Sequence, residues 1–204
     1  MFNSGQSCCG MERAYIHESL YDRFLEKAHQ LISSYTLGDP QESSTNLGPL
    51  ATKRAADAML EQVHDAQSKG AQVLVGGKIK NICEGVFFEA TLVAHTDHKM
   101  KIMKEENFGP ILPVMKVANL DEAISLINDS DYGLTAAIFT KNEDVADKFA
   151  LEAQTGTVFM NRCDFLDPAL PWTGVKNSGC GSSLSKYGFL HVTRRKSIHF
   201  KINV

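Results

Sequence analysis

Cys8 stands in the run Phe2-Asn3-Ser4-Gly5-Gln6-Ser7-Cys8-Cys9-Gly10, among small and amide side chains that leave a thiol room to be presented. The thiolate is the reactive form, and an unassisted cysteine is ionised only to roughly a few per cent near neutral pH, so a nucleophilic role requires help from the surroundings. Gly5 permits a sharp turn and a close approach of backbone to ligand, and the amides that follow, that of Cys8 included, can donate to a developing oxyanion. Spacing alone leaves the ordinary alternative open, that of a small buried hydrophobe. The seven histidines (17, 29, 64, 95, 98, 191 and 199) form no His-Glu-x-x-His; His95 and His98 make a weak pair, and the rest read as surface or structural groups. A cysteine hydrolase would need an imidazole beside Cys8, and nothing in the sequence places one there. The five cysteines (8, 9, 83, 163 and 180) are odd in number and contain no Cys-x-x-Cys, so neither a disulfide framework nor a metal site is expected. Gly-x-Gly-x-x-Gly and Gly-x-x-x-x-Gly-Lys are both absent, and Gly76-Gly77 reads as a turn.

The elements that must position Cys8 follow from hydrophobic periodicity. Residues 12–16 alternate polar and apolar side chains as a half-buried strand does. Ser19 is expected to cap a helix with Leu20, Phe24, Ala28, Leu31 and Ile32 on one face, ending before Gly38-Asp39-Pro40. A second helix is predicted over 52–69, with Ala55, Met59, Val63 and Ala66 at helical spacing and Gly70 as its stop. Strands are predicted at 71–75, 86–93, 111–117, 134–139 and 157–160, with helices at 121–127 and 143–154. This steady alternation implies an α/β fold with a largely parallel, helix-covered sheet, because parallel strands need crossovers and the crossovers bury both faces. Residues 165–181, rich in Pro, Gly and Ser, are expected to form an irregular loop, and 191–200 to form a terminal strand.

With 204 residues the chain can bury one sizeable core, and 43% apolar with 22% charged residues is ordinary for a globular protein. A formal charge of −3 argues against nucleic acid or anionic lipid as a partner. The locally basic tail, Lys186, Arg194, Arg195, Lys196 and Lys201, lacks an aromatic stacking motif and reads as a solvated face. No apolar run approaches the ~20 residues of a membrane helix, and with no secretory leader read at its start a cytoplasmic location is expected.

The segment Phe2-Asn3-x-Gly5-Gln6-x-Cys8 resembles the active-site cysteine signature of the aldehyde dehydrogenase superfamily, and Glu106-Asn107-Phe108-Gly109-Pro110 resembles that family's Glu-x-Phe-Gly-Pro motif. Further similar segments follow in the same order: Asn46-Leu47-Gly48-Pro49-Leu50, Asn128 with Tyr132-Gly133-Leu134-Thr135, Thr155-Gly156-Thr157-Val158 with Asn161, and Pro171 to Gly181. The resemblance covers the whole chain. It implies the fold of the family's catalytic domain over 1–190, with an oligomerisation-type strand and tail over 191–204. It further implies that Cys8 attacks an aldehyde, that hydride passes to NAD or NADP, and that water releases a carboxylic acid.

By the same resemblance Glu106 is a ribose ligand, since one carboxylate can accept from both hydroxyls of a diol, and Phe108 packs near the nicotinamide. Taken without the resemblance, Glu106 reads as solvated and Phe108 as core. Asn161, Asp164, Leu166 and Trp172 fall in or just before the loop where the family shapes its aldehyde entrance and are substrate candidates; Trp172 equally reads as a loop-packing side chain. Complete family members carry ahead of the cysteine a cofactor domain, an asparagine that completes the oxyanion hole and a water-activating glutamate, none of which is found in this sequence. The isolated chain is therefore expected to be inactive or weakly active. The alternative is a non-catalytic remnant acting in homo-oligomeric assembly through the 191–200 strand.

Overall fold

The computed structural model describes residues 1–163 and 165–203, so Asp164 lies outside the described residues. The chain divides into two compact units, Met1–Ser130 and Asp131–Val204.

In the first unit, β1 (Ala14–His17), β2 (Gln72–Val75), β5 (Thr91–Ala94) and β6 (Ile111–Val117) form a four-stranded sheet in the order β1-β6-β5-β2. β3 (Ile79–Ile82) and β4 (Gly85–Phe88) make a separate antiparallel hairpin. β6 runs parallel to both β1 and β5, with Ala14 opposite Val114 and Thr91 opposite Ile111, while β2 closes the edge antiparallel to β5. Two of the three pairings are thus parallel, as the alternation of elements implies.

Helices α1 (Tyr21–Ser33) and α2 (Lys53–Ser68) supply the two cores. Period-two alternation sorts the strand residues between them: Val93 and Ile111 pack with Met59, Val63 and Ala66 of α2, and Leu92 and Val114 with Tyr21 and Ile32 of α1. Each fully buried aliphatic side chain here is worth about 1.5–3 kcal/mol. Thr52 caps α2 by accepting from the Ala55 N–H at 3.2 Å, and Asn119 caps α3 (Leu120–Asn128) by accepting from the Glu122 N–H at 2.9 Å.

Three local expectations are corrected. Ser19 does not cap α1; its hydroxyl and N–H engage His17 Nδ1 within a 3-10 turn over Glu18–Leu20, and Leu20 and Leu31 are exposed. The residue drawn into the core is Tyr21, whose hydroxyl donates to Val114 O and accepts from the His95 N–H. The strand predicted at 86–93 is two strands, β4 and β5, because the chain turns at Glu89 and Ala90, where Ala90 O lies against Gly76.

Tyr15 on β1 shares a 2.8 Å hydrogen bond with His98 Nε2, and His98 Nδ1 meets Asp129 Oδ2 at 2.9 Å. Burial, with a smaller push from Asp129, raises the Tyr15 phenol to about 12, so it stays protonated and this chain ties β1 to the end of α3.

In the second unit β8 (Thr135–Ile138), α4 (Glu143–Glu152) and β9 (Thr157–Met160) form a β-α-β unit with Thr135 opposite Thr157. β7 (Tyr132–Gly133) pairs antiparallel with β10 (Val175–Lys176) inside the stretch expected to be irregular. Helix α5 covers Ser185–Val192, and residues 193–203 adopt neither helix nor strand. The alternation at 191–200 supplies a face, but a strand also needs a neighbouring backbone to bond, and none among the described residues pairs with it. Among the described residues no helix is long and apolar enough to cross a membrane.

Candidate active site

Phe2–Gly5 form a tight, kinked turn in which Asn3, Ser4 and Gly5 all take left-handed backbone angles (φ 51°, 56° and 75°). Such a run is costly for L-residues, and hydrogen bonds hold it. The Gln6 N–H donates to Asn3 O at 3.1 Å, Asn3 Nδ2 to Gln6 O at 2.9 Å, and the Ser7 N–H to Gly5 O at 2.9 Å. The turn is also fixed from outside. Ser4 Oγ donates to Gly48 O at 3.0 Å, Gln6 Nε2 donates to Pro49 O at 3.2 Å, and Gln6 Oε1 accepts from the Ala51 N–H at 2.8 Å. The glutamine two residues before the cysteine thus acts as a two-ended strut to Pro49 and Ala51.

Cys8 follows on a tight turn closed by the Gly10 N–H donating to Ser7 O at 2.9 Å. Its side chain is exposed, and among the described residues its own N–H donates to no protein acceptor. An exposed thiol with an uncommitted amide beside it is the arrangement that attack on a carbonyl requires. No imidazole is hydrogen-bonded to Cys8 among the described residues.

The second motif is brought directly against this turn. A Cβ on Gly5 would lie 1.9 Å from Gly109 O, so the two backbones touch and only glycine fits; Gly109 in turn rests on buried Met59 of α2, whose Sδ would be 2.2 Å from a Cβ there. Along the 106–108 turn, Glu106 and Phe108 are exposed and Asn107 between them is buried. Phe108 is therefore not a core residue. Its φ of 50° points it outward, and Asn107 Oδ1 braces the turn by accepting from the Gly109 N–H at 2.9 Å. From α2, Gln62 Nε2 donates to Glu106 O at 3.2 Å.

The opposite side of the turn is held by Glu12, to which the sequence reading assigned no role. Its Oε2 accepts from the Asn107 N–H at 2.9 Å and its Oε1 from the Phe108 N–H at 3.2 Å, while Arg13 Nη1 donates to Met103 O at 2.7 Å. Burial pushes the Glu12 carboxyl above the usual carboxylate range; the two amides and the Arg13 guanidinium draw it back, and Glu106 adds to the rise. The adjacent opposite charges of Glu12 and Arg13 are the only signal of this role in the sequence.

Cys8, Glu106 and Phe108 share the first unit, and Asn161, Leu166 and Trp172 lie in the second. Asn161 uses both amide atoms on one backbone, accepting from the Thr140 N–H at 3.0 Å and donating to Thr140 O at 2.8 Å. Leu166 is exposed, and half-buried Trp172 exchanges two backbone hydrogen bonds with Ser183. Among the described residues no three His, Cys, Asp or Glu side chains are grouped to hold a metal ion.

The family model for the aldehyde dehydrogenase family matches residues 1–198. An aldehyde dehydrogenase of Paenarthrobacter nicotinovorans is 41% identical over 196 residues, covering 96% of this chain and 43% of the relative. A succinate-semialdehyde dehydrogenase [NADP(+)] of Deinococcus radiodurans is 38% identical over 196 residues, covering 96% of this chain and 41% of its own length. Among solved structures, betaine aldehyde dehydrogenase of Staphylococcus aureus in complex with NAD+ superposes with a TM-score of 0.88 at 32% identity, over 93% of this chain and 38% of that one. The chain thus spans well under half the length of these relatives.

Proposed function

The chain belongs to the aldehyde dehydrogenase family, and from that membership we propose that it supplies the nucleophile-bearing wall of an NAD(P)-dependent site oxidising an aldehyde to a carboxylic acid. The observation that supports this most is the backbone contact of Gly5 on Gly109, which sets an exposed cysteine with an uncommitted N–H against a turn exposing Glu106 and Phe108.

In this reading the Cys8 thiolate adds to the aldehyde carbon to give a thiohemiacetal, and the Cys8 N–H donates to the oxygen that takes up the charge. Oxidation of that adduct leaves a thioester on Cys8, which water cleaves to the acid and the thiol. The nicotinamide group, when bound, supplies the hydride acceptor. The donor set of the 106–108 turn fits the ribose and nicotinamide end of such a cofactor: Glu106 is an exposed acceptor for a diol, and Phe108 an exposed ring two residues on. Asn161, Asp164, Leu166 and Trp172 are assigned to the aldehyde entrance by the family motifs alone.

The water-activating carboxylate and the second oxyanion donor come, in this proposal, from outside residues 1–204. General acid–base help is worth ~10²–10⁴-fold and one oxyanion donor ~10²–10³-fold, so the chain alone turns over weakly. Joined to a cofactor domain of the family, it is expected to form NAD(P)H on addition of an aldehyde. No aldehyde-dependent NAD(P)H formation by the joined form across a panel of aldehydes would remove the proposal.

A role in homo-oligomeric assembly is favoured by the exposed apolar side chains of Phe189, Val192, Ile198, Phe200 and Ile202. Sedimentation is expected to show a concentration-dependent oligomer that Phe200→Asp weakens. A monomer at every concentration would exclude this role.

A further inference from the structure

We propose that Glu12 is a positioning residue for this reaction, its carboxylate holding the 106–108 turn in the shape that presents Glu106 and Phe108 to the cofactor. What the turn binds rests on the functional reading above; the hold rests on geometry.

Both Glu12 oxygens are engaged, each by one of two successive backbone N–H groups, those of Asn107 and Phe108. Two successive N–H groups converge on one carboxylate only where the backbone between them turns, at Asn107, and the residue that follows, Phe108, continues the turn with a left-handed φ of 50°. Such a conformation is unfavourable for a phenylalanine and persists only where the surroundings over-determine it. An anion received by both amides does so, because ionised acceptors make stronger hydrogen bonds than neutral ones.

The neighbouring residue grips the same segment with opposite polarity, Arg13 Nη1 donating to Met103 O. Two consecutive residues, one acidic and one basic, thus hold amides at one end of the 103–108 segment and a carbonyl at the other. Glu12 is four residues beyond Cys8 in the chain, but among the described residues its side-chain hydrogen bonds go to the cofactor turn alone. The charged groups facing the Glu12 carboxylate are Arg13 from its own segment and Glu106 from the turn.

The raised position of Glu12 gives the hold a pH signature. A carboxyl raised in the folded state favours its neutral form there, so its net contribution to folding stability is complete below the ordinary glutamate value and is lost as pH rises through the raised one, although the two-amide hold itself forms on that ionisation. Ionisation nevertheless produces the form that accepts from both amides, and these bonds make the buried charge tolerable. Glu12→Gln keeps the shape but turns an NH2 donor toward one of the two N–H groups, breaking half of the hold.

The test has two arms. In the 204-residue chain, the Asn107 and Phe108 amide proton resonances are followed against pH. They are expected to move together with one midpoint above the ordinary glutamate value, to keep a shared midpoint, lowered by loss of the Glu106 charge, in Glu106→Gln, and to lose it in Glu12→Gln. Amides that do not titrate together in the unaltered chain overturn the hold, and this reading needs no variant to fold. In the form joined to a cofactor domain, Glu12→Gln is expected to lower kcat/KM for NAD(P) at least on the order of tenfold, as misplacement of a positioning group does, with the Cys8 alkylation rate unchanged. Unchanged cofactor kinetics, or an equal loss in alkylation, would overturn the positioning role. If even the unaltered joined form makes no NAD(P)H, the functional reading falls and the catalytic role of Glu12 with it. That failure is told apart from loss of the hold, because the amides are read without cofactor.

Discussion

Cys8→Ala is expected to reduce aldehyde-dependent NAD(P)H formation by ~10³-fold or more in kcat/KM, about 4 kcal/mol of transition-state stabilisation, when this chain is assayed with a cofactor domain. No neighbour can take over. Cys9 is held differently, its Sγ 3.3 Å from Ser7 Oγ, and the other exposed thiols, Cys83, Cys163 and Cys180, stand far from Cys8 in sequence and beside no family motif. Because Cys8 is exposed, removing its sulfur leaves no cavity, and the variant should unfold at the same denaturant midpoint as the parent. Loss of turnover with unchanged stability separates a chemical role from a packing one. Retention of more than a few per cent of kcat/KM, on the order of the leak a bystander would show, would dismiss Cys8 as the nucleophile.

Gly5→Ala is expected to be the most damaging single methyl group in the first unit. The added carbon would sit 1.9 Å from Gly109 O and 2.2 Å from Gly109 C, both backbone atoms, and the position has φ +75°. A left-handed alanine costs roughly 1–2 kcal/mol, and forced overpacking a further ~1–3 kcal/mol, against a total stability on the order of 5–15 kcal/mol for a domain. Gly109 cannot retreat, because Met59 backs it from α2. The strain is released by moving the cysteine turn off the 106–110 turn, so Cys8 alkylation and cofactor response should change along with the urea midpoint. Gly48→Ala is the control in the same neighbourhood, since a Cβ there meets only Pro40 Cβ at 3.7 Å, an ordinary contact. If Gly5→Ala unfolds within about 0.5 kcal/mol of Gly48→Ala, the backbone contact does not organise this site.

Elements with long, regular patterns were legible in the sequence. The apolar spacing of Met59, Val63 and Ala66 announced α2, and Ile111–Val117 and Thr157–Met160 were read with the bounds they adopt. The β3 hairpin strand was missed because its residues Ile79, Lys80, Asn81 and Ile82 have no strict alternation, and its pairing with β4 decides it. Tyr21 was passed over in favour of Leu20 and Leu31, since helical periodicity fixes spacing but not which stripe faces the sheet. The 191–200 stretch shows the same limit, because alternation supplies a face and cannot supply the partner strand.

For the site, residue types and local order carry the chemistry proposed above: a cysteine shortly after Gly-Gln, an acidic residue two before a phenylalanine, and glycines where backbones must approach. These are short-range properties, set by which atoms a residue carries and which φ it tolerates. Only the tertiary structure decided what lies against what. It placed Gly5 on Gly109 across 104 residues of chain, turned Gln6 into a strut to Pro49 and Ala51, and put Glu12 under the amides of Asn107 and Phe108. Such pairings arise when parallel strands β1, β6 and β5 bring distant segments to one end of a sheet, and no local pattern encodes which partners meet there.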